Sequence, residues 1–258
     1  MNASNVIWSK PIYINSRKAA VQSIAAFFLP LQKPYNHMKF YWVKTHWIIK
    51  KIFSGFTWNF PTTKKIVYLT FDDGPTPEVT DWTLSILKEY NAQATFFCIG
   101  ANIKTNPDLF SKIQQHGHTI GNHTYNHLNG WHTTTQEYIE NVDLCENVIK
   151  EFSVGNNSDI KLFRPPYGKL KRSQFKLLKQ KGYKVIMWDI LSADFDTTIS
   201  PEKCAENVLK NIQSGSIVIF HDSLKASKNL KFALPKTLDY LQKNGFEMKA
   251  IKFAPEPN

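Results

Sequence analysis

The stretch Val67-Tyr68-Leu69-Thr70-Phe71-Asp72-Asp73-Gly74-Pro75 decides the fold of this chain. It predicts a buried strand that ends in two adjacent carboxylates and is stopped by a Gly-Pro pair. In α/β proteins, functional side chains gather at the carboxyl ends of strands, where loops meet over a rigid sheet. Two adjacent acids at such a point need a metal ion or a shared proton to offset their charge. The alternative is a hairpin in which Asp-Asp-Gly-Pro is only a turn.

From Lys65 onward, strand-like and helical patterns alternate about seven times, which predicts an α/β fold with a parallel, barrel-like sheet. Asn106-Pro107 and Ser200-Pro201 each place a capping residue before a proline at the first helical position. Thr134 and Glu137 have the spacing of a capping box. The strand-like runs are 65–71, 94–100, 119–123, 161–164, 184–190, 216–221 and 247–252. The helical patterns are at about 77–90, 107–116, 135–152, 171–181, 201–213 and 230–244.

The composition fits one barrel, or one medium domain with a tail, because the chain has 258 residues of which 42% are hydrophobic. Its three cysteines, Cys98, Cys145 and Cys204, form no CxxC pattern and lie in apolar or helical settings. We therefore expect them to be reduced core residues rather than a disulfide framework or a zinc knuckle.

The net charge of +11 belongs to the N-terminal segment. No acidic residue precedes Asp72, while ten of the 32 basic residues do, which leaves 22 basic residues against 21 acidic ones in the remainder. The charge is therefore not evidence of a nucleic-acid partner for the folded domain. We divide the chain into a basic N-terminal segment, 1–64, and a folded domain, 65–254.

Within the basic segment, Arg17-Lys18 followed by the apolar run 19–31 imitates a signal peptide. It lacks a small-residue cleavage site and is too short to span a bilayer, so a cytoplasmic or membrane-peripheral location is expected. Met38 is a candidate for the true start, which would make the preceding residues non-native.

Residues 38–56 predict an imperfect amphipathic helix, with lysines on one side and apolar residues on the other. One interpretation is a basic interfacial helix that contacts an anionic membrane. The preferred one is a helix packed against the barrel with its lysines in solvent. The apolar side holds Tyr41, Ile48, Ile49, Ile52 and Phe53, whereas the polar side, interrupted by Val43 and Trp47, holds Lys39, Lys44, Lys50 and Lys51.

Two histidines four residues apart, His123 and His127, follow the third predicted strand. On a short helical turn they face the same way and can share a metal ion, although such a pair is more often two polar surface residues. Here they follow a strand end, as Asp72-Asp73 does. One carboxylate and two imidazoles leave a coordination position open, which is typical of a catalytic divalent-metal site.

Two further strand ends carry chemically useful side chains. Arg164 can pair with a carboxylate, and the two prolines after it stiffen its loop, although a surface ion pair is the alternative. The apolar strand 216–221 ends in His221, which is either a core histidine or, beside a metal site, a general acid or base.

Five motifs, taken in order, resemble those of the polysaccharide deacetylases, the NodB-homology group that forms carbohydrate esterase family 4. The resemblance covers about residues 65–250 and implies a distorted (β/α) barrel that hydrolyses N- or O-acetyl groups on carbohydrates. It also implies a divalent metal, commonly zinc, with cobalt or nickel as alternatives. The motifs are Thr70-Phe71-Asp72-Asp73-Gly74, His123-Thr124-x-x-His127, Arg164-Pro165-Pro166-Tyr167, Asp194-Phe195 and Ile219-Phe220-His221.

The resemblance also implies the role of each residue. The metal ligands would be Asp73, His123 and His127. Asp72 would deprotonate the attacking water while Arg164 holds its carboxylate. His221, oriented and kept charged by Asp194, would protonate the leaving amine, and the backbone N–H of Tyr167 would help the metal to stabilise the oxyanion.

Two positions depart from the family pattern, which usually has Trp where this chain has Phe195 and Leu where it has Ile219. Both residues keep an apolar wall for an acetyl methyl group, so the departures put acceptor preference in doubt more than catalysis. With Pro165 and Pro166, they are the expected substrate-binding residues.

The main hypothesis is therefore a hydrolase that acts on a non-peptide carbon–nitrogen bond, with N-acetylglucosamine-containing glycans as substrate. One alternative is an amidohydrolase of the same fold acting on a small non-sugar amide, and another is a catalytically silent carbohydrate-binding or membrane-associated protein. A non-haem iron oxygenase would share the ligand set but leave Arg164, Asp194 and His221 without a task. We expect an acetylated glycan and no nucleic acid as partner, and a monomer.

Overall fold

The computed structural model describes residues 41–153 and 161–253. The signal-like run at 17–31, the candidate start at Met38 and the predicted domain end at residue 254 lie outside these residues. The strands are β1 Ile66–Asp72, β2 Ala94–Cys98, β3 Thr119–Asn122, β4 Lys161–Phe163, β5 Tyr183–Val185, β6 Ile190–Leu191, β7 Ile217–His221 and β8 Glu247–Met248. The α-helices are α1 Trp47–Ile52, α2 Val79–Glu89, α3 Gly100–Thr105, α4 Pro107–Gln115, α5 Thr135–Phe152, α6 Arg172–Gln180, α7 Pro201–Leu209 and α8 Ser227–Lys243.

Seven parallel strands form a curled, incomplete barrel in the order β5-β4-β3-β2-β1-β7-β6, and β8 pairs in parallel with the start of β1. This confirms the predicted fold class. Parallel strands covered by helices are buried on both faces, which explains why every residue of β2 is buried without alternation. At the centre, Phe71 of β1 stacks between Phe96 and Phe220, with ring centroids 5.0 and 6.0 Å away.

The predicted strand 184–190 is wrong as a continuous element, because it is divided into β5 and β6. The carbonyls of Ile186 and Met187 accept hydrogen bonds from the Arg164 guanidinium, at 3.1 and 2.9 Å. The next carbonyl, that of Trp188, accepts from the Thr45 hydroxyl at 2.8 Å. These three carbonyls accept hydrogen bonds from side chains instead of from a neighbouring strand, so regular strand pairing stops between β5 and β6.

The predicted helix starts are confirmed in part. The side chains of Thr134 and Ser200 accept hydrogen bonds from the amides three residues later. Helix α4 begins at Pro107 as predicted, but Asn106 does not cap it with its side chain, which donates to the carbonyl of Asn102 instead. The short helix α3 was not predicted; it begins at residue 100, the last residue of the predicted strand-like run 94–100.

Residues 41–60 belong to the same compact unit as the barrel, so the folded unit begins at Tyr41 rather than at the predicted boundary after residue 64. Thr57 pairs with the backbone of Val185 and Met187 beside β5. Thr45 bonds to Asp189, and Val43 to Leu191 of β6. The segment therefore connects the two edge strands that the sheet order leaves apart.

The predicted helix 38–56 is shorter than expected, because only Trp47–Ile52 is helical in the part of this range that the structure describes. Its lysines are also not all in solvent, which corrects the preferred interpretation of this segment. Lys44 and Lys50 bind the two carboxylate oxygens of buried Asp189 at 2.6 and 2.5 Å.

The described helices include none with both the length and the apolar character needed to cross a membrane. The three cysteines are buried and form no disulfide, as predicted.

Candidate active site

Parallel strands bring their carboxyl ends to one edge of the sheet, and Asp72 lies there opposite His221 in the register between β1 and β7. The Asp72 side chain is buried, and its Oδ1 accepts a hydrogen bond from Arg164 Nη1 at 2.7 Å. Arg164 itself is fully buried, with its guanidinium 4.1 Å from the centre of the Phe97 ring. A second bond from Arg164 Nη1 reaches the Thr70 hydroxyl at 2.7 Å, so the orientation of the Asp72 carboxylate is fixed.

Asp73 turns away from Asp72 toward the two histidines, because its φ of 81° places it in the left-handed region. Its Oδ1 lies 3.2 Å from His127 Nε2 and 3.7 Å from His123 Nε2. The three ligand atoms all lie within 4.8 Å of one another. The structure thus brings together the three predicted metal ligands.

The two imidazoles are oriented by contacts through their other nitrogen. His123 Nδ1 lies 2.8 Å from the Arg164 carbonyl, and since only a protonated nitrogen can bond there, Nε2 is left with its lone pair toward Asp73. His127 Nδ1 pairs with the Tyr167 hydroxyl at 3.1 Å. Burial lowers the pKa of His123 to about 4 against the opposing charge of Asp72, so this ring is neutral at physiological pH.

The residues fit a divalent cation. Asp73 Oδ1 is buried and has no hydrogen-bond partner among the described residues, although a carboxylate oxygen out of water needs one. Burial opposes the ionisation of Asp73, but its contact with His127 and the charge of protonated His221 hold the pKa of Asp73 below the usual range. An ionised carboxylate and two imidazoles with free nitrogens are the donor set that zinc, cobalt or nickel prefers.

The expected helical turn from His123 to His127 is wrong. The segment after β3 is irregular, and Thr124 and His127 have φ values of 66° and 55°. Asn141 of α5 stabilises it, because its Oδ1 accepts from two consecutive backbone amides of the loop, at 2.8 and 3.0 Å. Non-glycine residues with positive φ at a site indicate backbone strain held in place by such contacts.

His221 and Asp194 form the second half of the site. His221 Nδ1 lies 2.7 Å from Asp194 Oδ1, and the His221 backbone amide donates to Asp194 Oδ2 at 2.7 Å. Burial favours the neutral imidazole, but the charge and hydrogen bond of Asp194 outweigh it and raise the pKa of His221 to about 9. The protonated ring is therefore a proton donor at neutral pH.

An apolar wall adjoins His221. Phe195 contacts the His221 ring edge-on at 5.1 Å between centroids and packs against the small apolar cluster that contains the almost fully buried Ile219. Pro165 and Pro166 are buried, so they stiffen the loop; a contact of any of these four residues with substrate stays a prediction. Tyr167 is 60% exposed, and the role of its backbone N–H also stays a prediction.

Sequence reasoning missed a group of residues that hold the loop carrying Asp73. Asp222 is fully buried, and its carboxylate accepts from Gly74 N at 3.1 Å and from the Thr80 hydroxyl at 2.5 Å. A Cβ on Gly74 would lie 2.0 Å from Asp222 Oδ2, so only glycine fits. On the other side, Asn102 Nδ2 donates to the Asp73 carbonyl at 2.7 Å. The partners lie up to 148 positions apart in sequence, so no local signal except the adjacency of Asp222 to His221 marks them.

Comparisons with known proteins agree with this geometry. The family model for polysaccharide deacetylase matches residues 59–186. A peptidoglycan-N-acetylglucosamine deacetylase of Bacillus cereus is 37% identical over 196 residues, covering 76% of this chain and 90% of that protein. A chitooligosaccharide deacetylase of Azorhizobium caulinodans is 31% identical, covering 60% of this chain and 73% of that protein.

Among solved structures, a crystal structure of a peptidoglycan N-acetylglucosamine deacetylase superposes with a TM-score of 0.73 at 29% identity, covering 80% of this chain and 95% of the other. The fold and the site thus define a carbohydrate-directed hydrolase. The chain belongs to the polysaccharide deacetylase family, carbohydrate esterase family 4.

Proposed function

We propose that the chain is a metal-dependent N-deacetylase of N-acetylglucosamine-containing glycans. The observation that supports this proposal most is that the two adjacent acids, Asp72 and Asp73, have different contacts. Asp73 faces two imidazoles with an unpartnered buried oxygen, while Asp72 is held by Arg164. The named relatives support the sugar, since they are peptidoglycan and chitooligosaccharide deacetylases.

In this proposal Asp73, His123 and His127 hold the cation. When bound, a divalent ion supplies Lewis acidity toward the acetyl carbonyl and lowers the pKa of water. Asp72 then accepts the proton of the attacking water, and its fixed carboxylate avoids a reorganisation cost during that transfer. The backbone N–H of Tyr167 would donate to the oxyanion.

The second proton transfer falls to His221. Amide cleavage breaks the bond between the acetyl carbon and nitrogen, and the departing nitrogen needs a proton because an amide anion is a poor leaving group. Protonated His221, fixed by Asp194, donates it, and the products are acetate and the free amino sugar. The apolar wall at Phe195 and Ile219 faces the methyl group.

The direct test is acetate release by the purified full chain from chitooligosaccharides and from peptidoglycan fragments, after chelation and after addition of zinc, cobalt or nickel. We expect release that is lost on chelation and restored by metal, with Asp72→Asn as a folded, inactive control. Release only from a small non-sugar amide would favour the amidohydrolase alternative. No turnover on any of them with metal bound would favour the alternative of a catalytically silent carbohydrate-binding or membrane-associated protein.

A further inference from the structure

Exposed apolar side chains are concentrated on one short segment near the start of the described chain. Trp47 and Ile52 are 64% and 65% exposed, and no residue of α1 is buried. We call Trp47, Ile48, Ile52 and Phe53 the apolar face; all four are exposed. Exposed apolar surface of this density marks a site of association.

The apolar face is attached rigidly to the barrel. Lys44 and Lys50 bind buried Asp189, and Ile49 on the inner side of α1 packs against the cluster around Trp58. The exposure is therefore a property of the folded unit and not of a loose tail.

The border of the apolar face is basic. Phe53 stacks on Phe56, and Phe56 contacts Phe175 of α6 edge-on at 4.9 Å between centroids. Helix α6 exposes Arg172, Lys176 and Lys179, and α1 exposes Lys51. Neither the chain before Asp72 nor the stretch 161–188 contains an acidic residue.

The apolar face also lies away from the catalytic edge. Lys50 donates to Asn59 at 3.1 Å, and Asn59 pairs with Ser216, the residue before β7. His221 ends the same strand, roughly 16 Å away at about 3.3 Å per residue.

We propose that the apolar face docks on an anionic phospholipid surface, with Trp47, Ile52 and Phe53 entering the interfacial region. Tryptophan is favoured at that depth, and the cations of α6 and Lys51 would meet the headgroups. A second copy of the chain fits less well, because a two-fold contact would bring the same lysines together. Docking in this way leaves the catalytic edge directed toward glycan away from the membrane.

The test is sedimentation of the full chain with vesicles of phosphatidylcholine alone or mixed with phosphatidylglycerol. We expect binding to the mixed vesicles. A Trp47→Ala/Ile52→Ala variant should bind them at least about tenfold more weakly, because less apolar side-chain area would be transferred from water into the membrane. Leu144→Ala is the matched control, since Leu144 is a 51% exposed apolar residue on α5.

The charge contribution is tested by changing Arg172, Lys176 and Lys179 to Gln, which should remove the preference for phosphatidylglycerol. The control changes three exposed lysines of α8 (Lys228, Lys231 and Lys243) to Gln and should keep that preference.

Three results would overturn the proposal: no binding by the unaltered chain, equal binding by the apolar-face variant, or a dimer that this variant converts to a monomer. Acetate release from a soluble chitooligosaccharide should be unchanged in Trp47→Ala/Ile52→Ala. Failure of docking is thereby distinguishable from failure of the proposed deacetylation.

Discussion

At the scale of the residue, Asp72 and Asp73 are neighbours in sequence with different surroundings. Asp72 ends β1 with strand geometry and meets Arg164, whereas the left-handed φ of Asp73 directs its carboxylate to the histidines. The Asp-Asp-Gly-Pro turn, which was the alternative interpretation of this stretch, is thus part of the site. Its change of backbone direction separates the two carboxylates.

We expect Asp73→Asn to weaken metal binding and Asp72→Asn to retain metal while losing nearly all turnover. Loss of a residue that only supports a ligand costs about 10–100-fold in affinity, so loss of the ligand should cost at least that. Loss of a general base should lower kcat by about 10²–10⁴-fold. Chelator competition gives the first quantity and steady-state kinetics the second. Equal metal affinity and activity in both variants would show that the assignment is wrong.

The pH dependence should report His221. Its pKa is raised to about 9, chiefly by Asp194 against the effect of burial, and the protonated form is the active acid. Activity should therefore fall as pH rises through about 9. Asp194→Asn removes the charge that raises the pKa, so the alkaline limb of kcat/KM should move down by about one pH unit or more. An alkaline limb at the same pH in this variant would contradict the role of His221.

At the scale of the element, the segment 41–60 connects β5 and β6, the two edge strands of the incomplete barrel. Its backbone bonds to both edge strands, and two lysines neutralise Asp189 between them. Burial would raise the pKa of Asp189, yet the hydrogen bonds from Lys44 and Lys50 lower it. The sequence pattern predicted these lysines in solvent because helical periodicity carries no information about a buried acid about 140 residues away.

Replacing Lys44 and Lys50 together by Met should lower the free energy of unfolding by roughly 2–3 kcal/mol. This is less than the ~3–5 kcal/mol of a fully buried pair, because both lysines are partly exposed. Urea denaturation measures the difference. Lys51→Met, at an exposed position of the same helix, should change stability by less than about 0.5 kcal/mol. Adding Asp189→Asn should recover part of the loss, and a double Met variant as stable as the unaltered chain would refute the role of these pairs.

At the scale of the whole molecule, the predicted ligands Asp73, His123 and His127 follow two different strands, β1 and β3, and come together only in the folded chain. A bound cation should therefore stabilise the entire fold. A ligand at about 100 times its Kd contributes about 2.7 kcal/mol, which for a domain of this size corresponds to a Tm increase of roughly 5–10 °C.

We therefore expect chelation to lower the Tm and added zinc to restore it, as measured by calorimetry. His127→Gln removes one ligand and should show a much smaller change with zinc. An equal increase in both proteins would place the stabilising ion elsewhere.

The sequence by itself determined the α/β class, the positions of most strands and the set of residues that the structure brings together at the candidate site. Those signals are local: apolar runs end in Asp72, His123, Arg164 and His221, and parallel strands necessarily bring such ends to one edge. Motif spacing could therefore indicate the candidate site without the fold, whereas the roles of its residues stay predictions.

Only the tertiary structure decided which groups meet. The Asp222 carboxylate accepts a hydrogen bond from the Gly74 amide, and Arg164 donates to the backbone carbonyls between β5 and β6. Lys44 and Lys50 form ion pairs with Asp189. Each is a contact between polar groups far apart in sequence. Such pairing is enforced by the cost of leaving a buried donor or charge unsatisfied, and that cost exists only once the chain has closed around it.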